Sequence, residues 1–134
     1  MPINSFIYPV PSLPPAYSVA NSCRFNDGDS AYMHKTPGSA GNQKTWTYSG
    51  WIKRGVGFGV EQNLLQLWDG TNGYARIHIT TDNQLQIDGN DNATNNAYNL
   101  ETNRELRDSS AWMHICIAMD TTQGTASNRT KIYI

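Results

Sequence analysis

Seven residues in the middle of the chain have side chains suited to holding a sugar ring. A pyranose presents apolar C–H faces and hydroxyl edges, so an aromatic platform beside amide and carboxylate groups matches its chemistry. The seven lie on the water-facing side of a predicted hairpin and at its rim: Trp68, Asp69, Asn72, Tyr74, Arg76, His78 and Tyr98. The open alternative for each is an ordinary turn residue or a contact between subunits.

The carboxylates of this chain do not form a hydrolytic pair. Retaining glycoside hydrolysis requires two carboxyl groups about 5–5.5 Å apart, which on a strand means acidic residues at alternating positions. Glu61 is isolated, and Glu101 and Glu105 flank a polar segment predicted to be a loop. Two pairs of aspartates are close in sequence, Asp27 with Asp29 and Asp88 with Asp91, but both pairs lie in predicted turns. The pattern predicts no glycosidase.

Other catalytic and metal-binding patterns are absent from the sequence as well. His34, His78 and His114 each lie in a predicted strand, and no Gly-x-Ser-x-Gly sequence accompanies them. His and Cys do not have zinc spacing, and no glycine-rich phosphate loop is present. We therefore expect no catalytic residue and no cofactor.

Composition limits the partners and the location. The net charge is −1 and only 16% of the 134 residues are charged, so no basic stripe for nucleic acid exists. The chain has neither an apolar segment of about 18 residues nor a standard signal peptide, so we expect no membrane insertion. Synthesis in a reducing cytoplasm favours two buried thiols, Cys23 and Cys116, over a disulfide.

The first twenty residues form a separate segment. Five of the six prolines lie within the first 15 residues. Proline fixes φ and removes a hydrogen-bond donor, so Met1–Ala20 is predicted to be an extended arm outside any sheet. Phe6, Tyr8 and Tyr17 are its candidate anchors for assembly with other subunits. The alternative is a loose terminus.

From Asn21 onwards, short alternating segments predict strands joined by Asn- and Gly-rich turns. The predicted strands are Cys23–Asn26, Ala31–His34, Thr45–Arg54, Asn63–Trp68, Tyr74–Thr80, Gln84–Asp88, Ala111–Asp120 and Lys131–Ile134. Ala111–Asp120 is apolar enough for burial on both faces, and Gly89–Asn99 is predicted to be a long surface loop. Trp46, Trp51 and Trp112 are assigned to the core.

The last predicted strand has no turn after it. This predicts a C-terminally incomplete domain or a sheet edge completed by a neighbouring chain.

Two segments carry a family resemblance. Asn21–Gly55 and Trp112–Gln123 (WMHICIAMDTTQ) resemble the concanavalin A-like lectin/glucanase (laminin-G-like) domains of tailed-phage tail-fibre and other virion proteins. The resemblance implies an all-β fold, an antiparallel β-sandwich of jelly-roll type, over residues 21–134. Cys23 departs from the family pattern, which more usually has an aliphatic residue there. Such relatives often bind calcium through loop oxygens, for which Asp69, Asp82, Asp88 and Asp91 are the candidates here.

The resemblance also implies a function. We expect a non-enzymatic structural and recognition component of a phage particle, a tail-fibre or capsid-fibre protein. Its expected partners are other virion subunits, including copies of itself, and host surface polysaccharide. The expected location is the virion, outside the cell after lysis. Two alternatives remain open: a stand-alone carbohydrate-binding lectin, or part of a glycan depolymerase whose catalytic residues lie beyond Ile134.

Overall fold

The computed structural model describes residues 21–55, 57–91 and 96–134, which contain seven strands and two short 3₁₀ turns. The chain divides into two compact units, residues 1–39 and 40–134, and every strand described belongs to the second. The strands are β1 (Thr45–Lys53), β2 (Gln62–Trp68), β3 (Tyr74–Ile79), β4 (Gln84–Asn90), β5 (Asn96–Glu105), β6 (Trp112–Asp120) and β7 (Thr130–Tyr133).

The strands form two antiparallel sheets that share one core. One sheet has the order β1-β6-β7 and the other has the order β2-β3-β4-β5. Alternation places one face of each sheet inward. The buried cluster draws on both sheets: Ile77, Ile79, Leu85 and Ile87 from the four-stranded sheet, and Ile115, Ile117 and Met119 from the three-stranded sheet. The all-β prediction and the two-layer antiparallel arrangement are confirmed.

One end of the sandwich is closed by a buried arginine. Arg54, 4% exposed, follows β1, and its guanidinium donates to Gln62 Oε1 (3.1 Å), to Asn83 Oδ1 (3.0 Å) and to the carbonyl of Leu106. The ring of Phe58 lies 4.9 Å from the guanidinium carbon. Arg54 thereby joins the end of β1 to the start of β2, to the β3–β4 turn and to the residue after β5.

The first unit contains none of the strands predicted for it. Residues 21–39 carry a 3₁₀ turn at Asp27–Asp29 and no strand, so the predictions for Cys23–Asn26 and Ala31–His34 are wrong. A four-residue alternating run becomes a strand only where another strand supplies ladder hydrogen bonds, and none does so in the described part of this unit.

The two cysteines are not buried. Cys23 is exposed and Cys116 is half-buried, so the prediction of two buried thiols is wrong; both thiols are free.

The segment predicted as a loop, Gly89–Asn99, is mostly strand. Gly89 and Asn90 end β4, and β5 starts at Asn96 and contains both Glu101 and Glu105. The polar composition of β5 fits its place at the edge of the sheet, where one side of the strand makes no ladder bonds and one face meets water. Tyr98 and Leu100 point inward at alternating positions of this strand, since they pair with Gly89 and Ile87.

β6 is buried on one face only. Ile115, Ile117 and Met119 are buried, but Trp112 is 56% exposed and lies on the opposite face. Because the fold has two layers, only one face of each sheet meets the other sheet. The predicted core positions of Trp112 and Trp51 are therefore wrong, while Trp46 is half-buried and packs against the core as expected.

The described residues include no helix long and apolar enough to cross a membrane. The predicted arm, Met1–Ala20, lies outside the described residues.

Replacing Arg54 with alanine should lower the free energy of unfolding by about 3 kcal/mol, because three buried or half-buried acceptors lose their donor. Urea denaturation of the two proteins measures the difference. Arg107→Ala is the matched control: this exposed side chain pairs with Glu105 at 2.7 Å, and its loss should cost no more than about 0.5 kcal/mol. Equal effects of the two substitutions would contradict the closing role of Arg54.

A candidate ligand-binding cleft at the open end of the sandwich

A cleft of about 770 Å³ opens at the end of the sandwich opposite Arg54. The two sheets meet there at the start of β1, the end of β2, the start of β3, the end of β4 and the start of β5. The residues that line it include five aromatic and several aliphatic ones: Trp46, Tyr48, Trp68, Tyr74, Tyr98, Leu65, Leu67, Ile77, Ile87 and Met119. Polar residues also line it: Asn42, Gln43, Asp69, Asn90, Asp91 and Thr121. A largely apolar wall with a few polar groups is typical of small-molecule sites.

The cleft exists because the inner face of β2 is only partly covered. Leu65 pairs with Ile77 and Leu67 pairs with Ala75, so both leucines share the inward face with those residues. They are nevertheless 38% and 59% exposed, whereas Ile77 is 2% exposed. Apolar side chains that face inward on this edge strand are therefore open to a ligand.

Tyr98 forms part of the opposite wall. A Cβ atom added at Gly89 would lie 2.6 Å from a ring carbon of Tyr98, so the ring passes directly over this glycine. Burial raises the pKa of the Tyr48 and Tyr98 hydroxyls, with a smaller contribution from Asp88 at Tyr98. Both phenols are thus neutral at physiological pH and available as hydrogen-bond donors.

The rim is organised by the carboxylate of Asp69. Its Oδ1 accepts hydrogen bonds from the backbone N–H of Thr71 (2.8 Å) and of Gly73 (3.1 Å), which folds the β2–β3 turn around it. Gly70 has φ = 92°, a left-handed value that glycine adopts without strain. The indole N–H of Trp68 donates to the Thr71 carbonyl at 3.2 Å. The turn therefore fixes the orientation of Trp68, which is 67% exposed.

The outer face of the four-stranded sheet is an ion-pair network and not an open platform. Arg76 donates to both oxygens of Asp88, at 2.9 and 3.2 Å, and to Glu61 Oε1 at 2.7 Å. The Tyr74 hydroxyl lies 3.4 Å from Asp88 Oδ2, and the Arg76 guanidinium lies 5.3 Å from the Tyr74 ring centre. The hydrogen bonds from Arg76 to Asp88, with the charges of Asp88 and Glu61, raise the pKa of Arg76.

His78 is 1% exposed, so its predicted place on a water-facing platform is wrong. Nδ1 lies 3.4 Å from Glu61 Oε2 and Nε2 lies 3.4 Å from Asp88 Oδ1. Neither contact has the geometry of a hydrogen bond. The alternation that assigned His78 to the outer face is correct, but the side chains of this network cover that face.

The structure brings most of the predicted sugar-binding residues to the cleft, although the register keeps Trp68, Tyr74 and Arg76 on the outer face of the four-stranded sheet, as expected. Trp68, Asp69, Tyr74, Arg76 and Tyr98 line the cleft, Asn72 lies in the adjacent turn, and His78 does not contribute. Sequence reasoning missed the inward-facing part of the wall, which includes Trp46, Tyr48, Leu65 and Leu67. Their positions in two predicted strands were readable from the sequence, but of the four only Trp46 was assigned a place, in the core.

The candidate metal ligands are not assembled in the described part of the chain. No group of three or more His, Cys, Asp or Glu side chains there could hold a metal ion. The four candidate calcium ligands are dispersed: Asp69 lies in the β2–β3 turn, Asp82 in the β3–β4 turn and Asp88 within β4, while Asp91 follows β4. Glu101 and Glu105 are four residues apart on one strand, a separation of roughly 13 Å.

No protein-family model, curated protein or solved structure matches this chain.

The turn that carries Trp68 should weaken in acid. Hydrogen bonds from the backbone of Thr71 and Gly73 and from the Thr71 hydroxyl lower the pKa of Asp69. A depressed carboxyl pKa stabilises the fold above the ordinary value of about 3.9, and this contribution is lost as pH falls through the lower folded value. Amide hydrogen exchange at Thr71 and Gly73, measured by NMR, should therefore accelerate below about pH 3.9 beyond its intrinsic pH dependence.

In Asp69→Asn this acid transition should disappear, since the amide does not titrate. Asp82→Asn, a change in the other turn of β3, is the matched control and should retain it. An acid transition that persists in Asp69→Asn would show that another group controls the turn.

Proposed function

We propose that this chain is a non-enzymatic recognition module of a phage particle, a tail-fibre or capsid-fibre component that binds host surface glycans. The observation that carries the proposal is the cleft of about 770 Å³ with aromatic walls and a rim of amide, hydroxyl and carboxylate groups. The proposal includes a concanavalin A-like jelly-roll as the connectivity of the sandwich.

The chemistry of the cleft suits a sugar residue at the end of a glycan. Trp68 and Tyr98 offer rigid ring faces for the apolar C–H surfaces of a pyranose. Asn42, Gln43 and Thr121 line the same cleft and can exchange hydrogen bonds with ring hydroxyls. Because Trp68 is oriented by its turn before a ligand arrives, little conformational entropy would be lost on binding.

The carboxylates near the cleft support binding over hydrolysis. Asp88 and Glu61 are both held by Arg76, at 2.9 and 2.7 Å, so their carboxylates are engaged within the protein. Asp69 is occupied by the backbone N–H groups of its own turn. Each of these side chains thus has a structural role.

The virion context is supported by the resemblance of Asn21–Gly55 and Trp112–Gln123 to phage virion domains and by the composition of Met1–Ala20. A segment of interleaved prolines and aromatic residues is stiff, so it loses little entropy on docking to another subunit. A stand-alone lectin and a depolymerase completed beyond Ile134 are the alternatives that the following experiments separate.

An oligosaccharide array probed with the whole protein should show binding to at least one bacterial surface glycan. Trp68→Ala should weaken that binding about fivefold or more, because one stacking face is lost, while Trp112→Ala on the other sheet should leave it unchanged. Unchanged affinity in Trp68→Ala would refute the cleft as the site. Release of reducing ends from the bound glycan would replace the proposal with the depolymerase.

Deletion of residues 2–18 should leave the β-rich circular dichroism spectrum intact but abolish incorporation into particles or oligomers. Analytical ultracentrifugation and analysis of purified particles measure the two forms of assembly. If the shortened chain assembles as well as the full chain, the arm is a loose terminus and the stand-alone lectin becomes the better hypothesis.

A further inference from the structure

Three large aromatic side chains stand exposed on the outer face of the three-stranded sheet. Trp51, Trp112 and Tyr133 are 61%, 56% and 58% exposed. Trp51 lies opposite His114, Trp112 lies two residues from His114 along β6, and Tyr133 of β7 lies opposite Cys116. Side-chain alternation puts all of these residues on the face that points away from the core. We call Trp112, Trp51, His114 and Tyr133 the aromatic strip.

The middle of the aromatic strip has a defined shape. The ring centres of Trp51 and His114 are 5.1 Å apart at an interplanar angle of 43°. The Ser49 hydroxyl lies 3.0 Å from His114 Nε2, a hydrogen bond that orients the imidazole. Trp51 and Trp112 are diagonal neighbours on adjacent strands, which separates their backbones by roughly 7–8 Å. A ligand on this face would therefore meet two tryptophan rings at a set spacing.

The charges beside the aromatic strip are balanced at both of its ends. At one end, hydrogen bonds from Ser110 lower the pKa of the Asp108 carboxyl, and the nearby charge of Lys53 adds to this effect. At the other end, Asp120 and Lys131 line one groove of about 570 Å³. Each end thus pairs one cation with one anion, and this balance favours an uncharged ligand over an ionic one.

The aromatic strip suits a short extended segment better than a folded partner. Three strands about 4.8 Å apart and five residues long present roughly 250 Å², whereas each partner in a stable protein interface buries about 800 Å². Along β6, the six steps from Trp112 to Ala118 span roughly 20 Å. A polyproline II segment of seven residues has nearly the same length, at about 3.1 Å per residue.

The chain itself contains a segment with the matching chemistry. Four of its six prolines lie at residues 9–15 (PVPSLPP), and residues 2–20 include no charged side chain. Pro11 and Pro14 are three residues apart, so in a polyproline II helix they would share one face at a spacing of about 9 Å. This spacing is close to that of Trp51 and Trp112. Aromatic grooves recognise proline-rich segments in this manner.

Hydrogen-bonding capacity separates this segment from a polysaccharide. Residues 9–15 have seven backbone carbonyls but only three N–H groups, since four of the seven residues are prolines. The indole N–H groups of Trp51 and Trp112 are donors without acceptor capacity. The carboxylates of Asp108 and Asp120 already accept hydrogen bonds from their own turns. The aromatic strip therefore matches an acceptor-rich peptide, whereas glycan hydroxyls need acceptors as well as donors.

We propose that the aromatic strip binds residues 9–15 of a second copy of this chain. Pro11 and Pro14 stack on Trp51 and Trp112, and the indole N–H groups donate to carbonyls of the segment. Residues 21–26, which follow the arm, are exposed, so the arm begins at the protein surface and can reach a neighbouring molecule. The inference rests on the assembly role proposed for the arm and is independent of glycan binding in the cleft.

Analytical ultracentrifugation of the whole protein over a range of concentrations tests the proposal. The unaltered chain should self-associate, and Trp51→Ala and Trp112→Ala should each weaken the association about fivefold or more. The double substitution Pro11→Ala with Pro14→Ala should weaken it to a similar extent. Trp68→Ala is the matched tryptophan control from the other sheet and should associate fully. Trp51→Phe should retain part of the association, which separates loss of stacking from misfolding.

A mixing experiment shows whether the arm and the aromatic strip act on each other. A chain with Trp51→Ala and Trp112→Ala keeps its arm, and a chain with Pro11→Ala and Pro14→Ala keeps its aromatic strip. Neither chain should associate alone, but an equimolar mixture should form a complex that contains both. A synthetic peptide of residues 1–20 should dissociate the oligomer of the unaltered chain, and the same peptide with both alanine substitutions should not.

Each other outcome overturns the proposal. A monomer at every concentration excludes a second copy as the occupant. Association that is lost in Trp51→Ala but is insensitive to the proline substitutions and to the peptide identifies the sheet face of a second copy instead. Retardation by dextran in affinity electrophoresis that is lost in Trp51→Ala identifies a neutral glycan.

Failure of this proposal is distinguishable from failure of the proposed function. If deletion of residues 2–18 abolishes assembly while Trp51→Ala and Trp112→Ala assemble normally, the arm keeps its role and the aromatic strip is not the surface that receives it. Failure of the glycan array would leave the sedimentation results for these variants unchanged.

Discussion

The fold depends on the burial of one face of each sheet against the other. Ile77 and Ile79 of β3 and Leu85 and Ile87 of β4 pair across their strands, and Ile115 and Ile117 of β6 cover them from the second layer. A shift of one residue in any of these strands would move its isoleucines to the solvent side, so this packing also fixes the register. The inward or outward direction of every side chain in these strands follows from it.

The two ends of the sandwich are closed in different ways. At one end, the guanidinium of Arg54 satisfies acceptors from three connections and seals the core beneath Phe58. At the other end, no comparable group joins the sheets among the described residues, and Trp46, Tyr98 and the two leucines of β2 surround open space. This asymmetry concentrates stability at one end and leaves apolar surface accessible at the other. A rigid scaffold with one open end suits a binding module.

The local sequence pattern predicted some features of the candidate sites and not others. Alternation correctly separated the inward and outward residues of β3, and the Asp-Gly turn after Trp68 was recognisable from its residues. The exposure of those residues was not predictable. His78 and Asp88 are buried on an outward face because Glu61 and Arg76 cover them, and these contacts join residues up to 17 positions apart. Trp51 and Trp112 look like core residues by type, but they lie on the side of their sheet that no second layer covers.

The sequence by itself determined the all-β class, most of the strands and the position of the main turns, because these follow from side-chain alternation and from the turn preferences of Gly, Asn and Asp. It did not predict β5. The polar residues of this strand can remain in contact with water because the strand lies at the edge of the sheet. It also did not decide which aromatic residues are exposed. The tertiary structure decided both, since strand order and the number of layers depend on contacts between distant segments that no local pattern encodes.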